Sequence, residues 1–157
     1  MNEYYVTNRD VIKNFAINTG TTQSPTFTKM CTSSELTLNT DFTDQTFFVF
    51  CDAIQRSIKT GVALTIEGTV KIDMNNTAIK TVLGNMHTLI STGEIAQFNN
   101  VLVKFDLLTG VSGGVLTYTT YQVSTNFSLD SLGGSAEDVG EFEISLTING
   151  TGTEVSA

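Results

Sequence analysis

From Gly140 to Gly150 the chain alternates almost without fault. Phe142, Ile144, Leu146 and Ile148 fall on one parity, and Glu141, Glu143, Ser145, Thr147 and Asn149 on the other. A side-chain period of two predicts a strand with one apolar and one polar face. Residues 62–73 repeat the pattern: Val62, Leu64, Ile66, Val70 and Ile72 share one face, with Glu67, Lys71 and Asp73 on the other. Residues 35–40 form a shorter strand of the same kind, with Leu36 and Leu38 inward.

Two segments have helical spacing. Between 75 and 93, Ile79, Val82, Leu83, Met86, Leu89 and Ile90 form one stripe. Asn75 or Asn76 is placed to cap the start and Gly93 to end it. Gly84 interrupts this helix and suggests a close approach to the sheet. Between 44 and 58, Phe47, Phe50, Cys51, Ile54 and Ile58 also follow helical spacing, with Asp44 as N-cap and Gly61 as stop. A strand through 46–50 followed by a short helix is the competing reading.

The last third returns to strands at 101–108 and 115–130, joined by a turn at 109–114. An acidic, glycine-rich connection follows at 131–140, and 149–157 reads as a loose polar tail. Residues 1–33 read as an N-terminal arm with one or two short strands, or as an ordinary first strand and loop. Residues 34–157 then make the main domain of a 157-residue, single-domain chain. The order predicts a mainly β fold, a sandwich or barrel with one flanking α-helix.

Composition sharpens this. Charged residues are only 15%, against roughly 25% in an ordinary domain. The net charge is −8, and its placement matters more than its size. No Lys or Arg follows Lys104, whereas Asp106, Asp130, Glu137, Asp138, Glu141, Glu143 and Glu154 all do. Such a surface repels phosphate, which argues against tight nucleic-acid binding. Two cysteines, Cys31 and Cys51, and an N-terminus without an apolar core fit a product made in a cytoplasm, with no membrane span.

Candidate chemistry is sparse. His87, the single histidine, lies near a helix end with no nucleophile motif around it and reads as a surface residue. No cysteine–histidine spacing fits a metal, and no glycine pattern fits a phosphate loop. Glu141 and Glu143, ~7 Å apart on one strand face, are a weak match to a hydrolase pair. A solvated sheet face accounts for them better. No cofactor, metal or catalytic residue is expected.

The phrases "FFVFCDAIQRSIKTG", "VALTIEGTVKIDMNNTAIKTVLGNMHTLI", "FDLLTG" and "SLGGSAEDVGEFEISLTING", in that order, resemble the tail tube proteins (major tail proteins) of long-tailed bacteriophages and related phage-like tail particles. The resemblance covers roughly residues 35–150. It implies a β-sandwich subunit whose inner strands close into a ring-shaped barrel on oligomerisation, with six subunits to a ring and the rings stacked into a tube. It implies a virion (tail) location, an acidic lumen through which DNA passes without specific binding, and as partners the protein itself, an initiator, a terminator, and a tape measure or sheath. On that basis Glu141, Glu143, Glu67 and Asp106 are candidates to line the lumen. Phe47, Phe48, Phe50, Arg9, Lys13, Arg56, Asp130, Glu137 and Asp138 are candidates for contacts between subunits, although burial in the chain's own core is the ordinary expectation for Phe47 and Phe50. The alternative is a β-sandwich binding or adhesin module that recognises carbohydrate or protein.

Overall fold

A computed structural model describes residues 5–21 and 23–155, with the backbone alone at Asp52. The first four residues of the arm and the last two of the tail lie outside the described residues. The strands are β1 (Ile12–Asn18), β2 (Phe27–Lys29), β3 (Ser33–Val49), β4 (Asp52–Lys71), β5 (Val101–Ser112), β6 (Val115–Leu132) and β7 (Glu141–Val155), and the helix is α1 (Thr77–Thr92). They form one sheet in the order β2-β1-β5-β6-β7-β4-β3, antiparallel throughout. The sheet does not close on itself within one chain.

Strand β7 lies inside the sheet, between β6 and β4, and organises the core. Phe142, Ile144 and Leu146 are buried. On one side they lie beside Val70, Gly68 and Ile66 of β4. On the other they lie beside Leu132, Leu129 and Phe127 of β6. Val103 and Phe105 of β5 and Phe15 and Ile17 of β1 continue this apolar cluster. The buried hydroxyl of Thr125 donates to the Val101 carbonyl, 2.9 Å away. Gly68 serves the close packing: a Cβ there would lie 2.9 Å from the Glu35 carbonyl oxygen on edge strand β3.

Helix α1 covers this apolar face with Ala78, Ile79 and Val82. Its ends match the sequence expectation. Gly93 adopts the left-handed conformation at φ 74°. The Asn76 side-chain oxygen accepts from the Ala78 and Ile79 amides, and its Nδ2 donates to the Lys29 carbonyl at 2.8 Å. The cap therefore also ties the helix to β2. Asn76→Ala should cost about 1 kcal/mol of stability, measured by urea denaturation. Gly84 departs from expectation: it is exposed, and a Cβ there would meet nothing within 4 Å. Ile90, assigned to the buried stripe, is also exposed.

The larger correction concerns 44–61. No helix forms there. β3 and β4 pair continuously from Ser33↔Val70 to Val49↔Asp52, so the strand expected at 62–73 is the lower part of a 20-residue strand. Asp44 pairs in register with Lys59 and is ion-paired to it at 3.3 Å. Gly61 lies inside the strand opposite Thr43. Phe, Val, Ile and Thr suit a pleated ribbon, and the irregular spacing that mimicked a helix comes from apolar residues on both faces together with register shifts. The strand half of the competing reading is present; its short helix is not. The polar tail is also ordered into β7, which stays paired with β6 as far as Val155↔Thr120. Ladder hydrogen bonds hold that segment without apolar side chains.

Candidate functional site

The register of the sheet decides which polar residues meet. Opposite the core, Glu143 of β7 lies beside Thr69 of β4, Ser145 beside Glu67, and Glu141 beside Lys71. On β3, Glu35 lies beside Thr69 and Thr37 beside Glu67. Glu35, Glu67, Glu143 and Asp130 thus surround one shallow depression of about 260 Å³. Among the described residues none of these four is ion-paired, and no group of His, Cys, Asp and Glu is arranged to hold a metal ion. The result is an open, uncompensated acidic surface.

The four lumen candidates share this face, but not one environment. Glu67 and Glu143 belong to the depression. Glu141 is ion-paired with Lys71, which offsets its charge in the patch. Asp106 lies across the sheet on β5, beside Thr120. Its carboxylate accepts from Thr120 Oγ1 at 2.5 Å and from Asn14 Nδ2 at 2.7 Å. Asn14 reaches it from a left-handed residue, φ 56°, at the irregularity in β1. Sequence parity found Glu67 and Glu143. It missed Glu35, whose place beside them depends on the β3–β4 register, and it assigned Asp130 elsewhere.

Burial raises the Asp106 pKa, but the bonds from Thr120 and Asn14, then the charges of Lys104 and Lys29, outweigh it and hold the carboxyl below its ordinary value. A depressed carboxyl stabilises the fold above its unfolded-state pKa, and that contribution is lost as pH falls through the folded-state value. Asp106→Ala should therefore cost about 1–2 kcal/mol at pH 7. The difference from the parent should shrink as pH falls below about 4, followed by thermal melts across pH.

The second feature is the upper part of the β3–β4 hairpin. β4 pairs with β7 only from Thr65 to Lys71, so residues 41–63 leave the sheet as a two-stranded ribbon. Phe42, Phe47, Phe48, Phe50, Ile54 and Ile58 are all exposed on it. Burial of Phe47 and Phe50 in the chain's own core is thus corrected: Phe50 is fully exposed and Phe48 65% exposed. A two-stranded ribbon is marginally stable alone, and these side chains stand exposed along it among the described residues. Arg56 faces Phe47 in the register.

The remaining candidates fall at the two ends of the sheet. Arg9 lies in the 3-10 turn Asn8–Asp10 that precedes β1. Lys13 is 3.4 Å from Asp10 and stacks over the Tyr118 ring. Tyr118 first, and Asp10 after it, hold the Lys13 ammonium above its ordinary pKa against a smaller effect of burial. Glu137 and Asp138 are exposed in the connection between β6 and β7. His87 is exposed, as expected. Cys31 and Cys51 are free thiols, both exposed. Among the described residues no helix is long and apolar enough to cross a membrane.

No protein-family model matches this chain, and no curated protein is similar to it in sequence. Solved structures are similar. The first is a chain in the tail of an empty GTA particle refined with C6 symmetry: TM-score 0.61, 10% identity, covering 97% of this chain and 100% of that one. The SPP1 tail tube matches with TM-score 0.57 and 13% identity, over 92% of this chain and 76% of that one. A chain of the PVC sheath-tube complex, from an extracellular contractile injection system in its extended state, matches with TM-score 0.52 and 14% identity, over 98% and 94%. Identities this low carry the fold alone, and that fold agrees with the resemblance found in the sequence: this chain has the fold of a tail-tube subunit.

Proposed function

We propose that this protein is the structural subunit of the tail tube of a phage or phage-like particle, located in the virion tail and without catalytic activity. Its subunits form rings, six to a ring by resemblance, and the rings stack into a hollow tube. The observation that carries this reading is the combination of a tail-tube fold over nearly the whole chain with a long hairpin on which Phe48 and Phe50 stand exposed among the described residues. Ring closure and stacking would cover that ribbon and remove the exposed sheet edges.

In this reading the face bearing Glu35, Glu67, Glu143 and Asp130 lines the channel, with Asp106 and the Lys71-paired Glu141 further along the same face. DNA carries one negative charge per ~1.7 Å of helix axis, and salt screens charges beyond ~8–10 Å. Carboxylates on the wall therefore act only on DNA that comes close, and they act by repulsion. Sixfold repetition turns four carboxylates per subunit into a continuous acidic band, along which the polymer slides because it has no favourable resting contact. Other tail proteins, an initiator, a terminator and a tape measure or sheath, would meet the tube at its ends, bore or outer surface.

Sedimentation velocity and negative-stain electron microscopy of the purified chain, with and without an added tail-tip preparation as initiator, test the reading. Rings or hollow tubes are the expected result. A chain that stays monomeric under both conditions and binds glycans would replace this reading with the adhesin module.

A further inference from the structure

On the α1 side of the sheet lies a cavity of about 290 Å³. Three pieces of chain enclose it: the end of β1 with its following turn, the α1 residues Thr81, Val82 and Asn85, and the 96–102 segment that leads into β5. Ile17, Val82 and Phe127 belong to the core cluster and give the cavity an apolar floor. Asn85, Gln97, Asn99 and Asn100 make its rim rich in carboxamides.

The walls are held in place from within the chain. The Asn18 side chain accepts from the Gly20 and Thr26 amides at 2.9 and 3.0 Å and donates to the Thr21 carbonyl at 3.1 Å. A Cβ at Gly20 would lie 2.7 Å from the Ser24 carbonyl oxygen, so this turn closes tightly. Gln97 Nε2 donates to the Glu94 carbonyl at 2.7 Å and to the Asn85 carbonyl at 3.3 Å, which ties the segment before β5 to the helix. Asn100 holds a left-handed backbone, φ 55°, a conformation that gathers at ligand sites.

Charge and hydrogen bonding define what fits. No residue lining the cavity is charged. A phosphate, carboxylate or ammonium group would enter with nothing to pair with it. Among the described residues the Asn85, Asn99 and Asn100 side chains make no hydrogen bond. Each carboxamide offers an acceptor and two donors, which suits neighbouring hydroxyls that both donate and accept. The volume stands at the lower end of ligand pockets, roughly 300–1,000 Å³, and suits one small ring. β1 is paired on both sides at Ile17, so an extended peptide finds no free strand edge. Phe127 is buried against Phe98, so a nucleobase finds no open aromatic face.

We propose that this cavity binds one ring of a neutral saccharide, held by the carboxamides of Asn85, Asn99 and Asn100 over the floor of Ile17, Val82 and Phe127. The site stands on the single chain and goes beyond the tube reading. With α1 facing outwards, a tube would repeat the site around every ring, and multivalency would raise a low affinity for a surface glycan by roughly 100-fold or more.

Saturation-transfer NMR tests this on the full chain, whether monomeric or assembled. The probes are glucose, galactose, mannose and N-acetylglucosamine at about 10 mM, above a millimolar Kd. Glucose 6-phosphate and N-acetylneuraminic acid are the charged counterparts. At least one neutral sugar should receive saturation and neither charged one should. Asn85→Leu and Asn99→Leu should each weaken binding at least tenfold with unchanged circular dichroism. Asn39→Leu, at the opposite edge of the sheet, should not. Should one of the two misfold, the other decides. Absence of saturation in every neutral sugar, equal saturation of the charged ones, or parent-like binding by the folded variants would overturn the site. An immobilised polymer of the sugar that binds should retain parent tubes at least tenfold better than Asn85→Leu tubes; equal retention would overturn the surface glycan as the source and leave the free sugar. A chain that never forms tubes removes the tube reading and leaves the single-chain test as it stands.

Discussion

Replacing Phe48 and Phe50 together by serine should leave a folded monomer that no longer assembles at the parent's concentration. Both side chains are exposed in the single chain, and substitutions at such positions usually change stability by no more than about 0.5 kcal/mol. In the proposed stack the same rings are covered by a neighbour. Truncating an aromatic anchor at the centre of an interface costs about 2 kcal/mol, and each 1.4 kcal/mol is a factor of about ten. Two anchors should therefore raise the critical concentration by roughly 100-fold or more. Circular dichroism and melting report the fold, and sedimentation reports assembly. Parent-like tubes from this variant would show that the hairpin tip is a decoration.

Phe142→Ala should do the opposite and damage the subunit itself. Phe142 is fully buried, on an interior strand, between Val70 of β4 and Leu132 of β6. Removing a large aromatic from such a site forfeits its transfer free energy and leaves a cavity, at a cost of about 3–5 kcal/mol. Domains commonly have only about 5–15 kcal/mol in total, and the melting temperature should fall by roughly 10 °C. A shift of only a degree or two would mean that the sheet repacks around the gap and that β7 is not the centre of the core. Comparing the two variants separates the residues that hold the subunit together from those that hold subunits to each other.

Much of the fold was legible because one face of most elements is buried within the chain. The helix ends could be read from Asn76 and Gly93, whose cap and left-handed turn follow from local chemistry. The strand faces of β7 and lower β4 followed from period two. The 41–63 ribbon was not legible for the same reason turned around. Periodicity reports burial within one chain, and a ribbon that leaves its own sheet has no inner face to mark. Phe47 faces Arg56 across the ribbon while Phe42 faces Val62, and the register shift between those pairs breaks the parity further. The 149–155 end of β7 was missed because Gly150, Gly152 and their polar neighbours are held by backbone pairing, which leaves no hydrophobic signature.

The acidic face was partly legible. Parity placed Glu67 and Glu143 on polar faces, but the depression they form needs Glu35 from an edge strand and Asp130 from the irregular end of β6. Only the register brings these together. Charge counting also overstated Glu141 and Asp106, since partners distant in sequence, Lys71 and Asn14, tie each of them down.

Cryo-electron microscopy of the assembled protein, at a resolution that separates strands, tests the central claim most directly. The account predicts hollow tubes of stacked rings in which Glu67 and Glu143 face the bore and helix α1 faces outwards. Assemblies with α1 lining the bore and the carboxylates outside would contradict it.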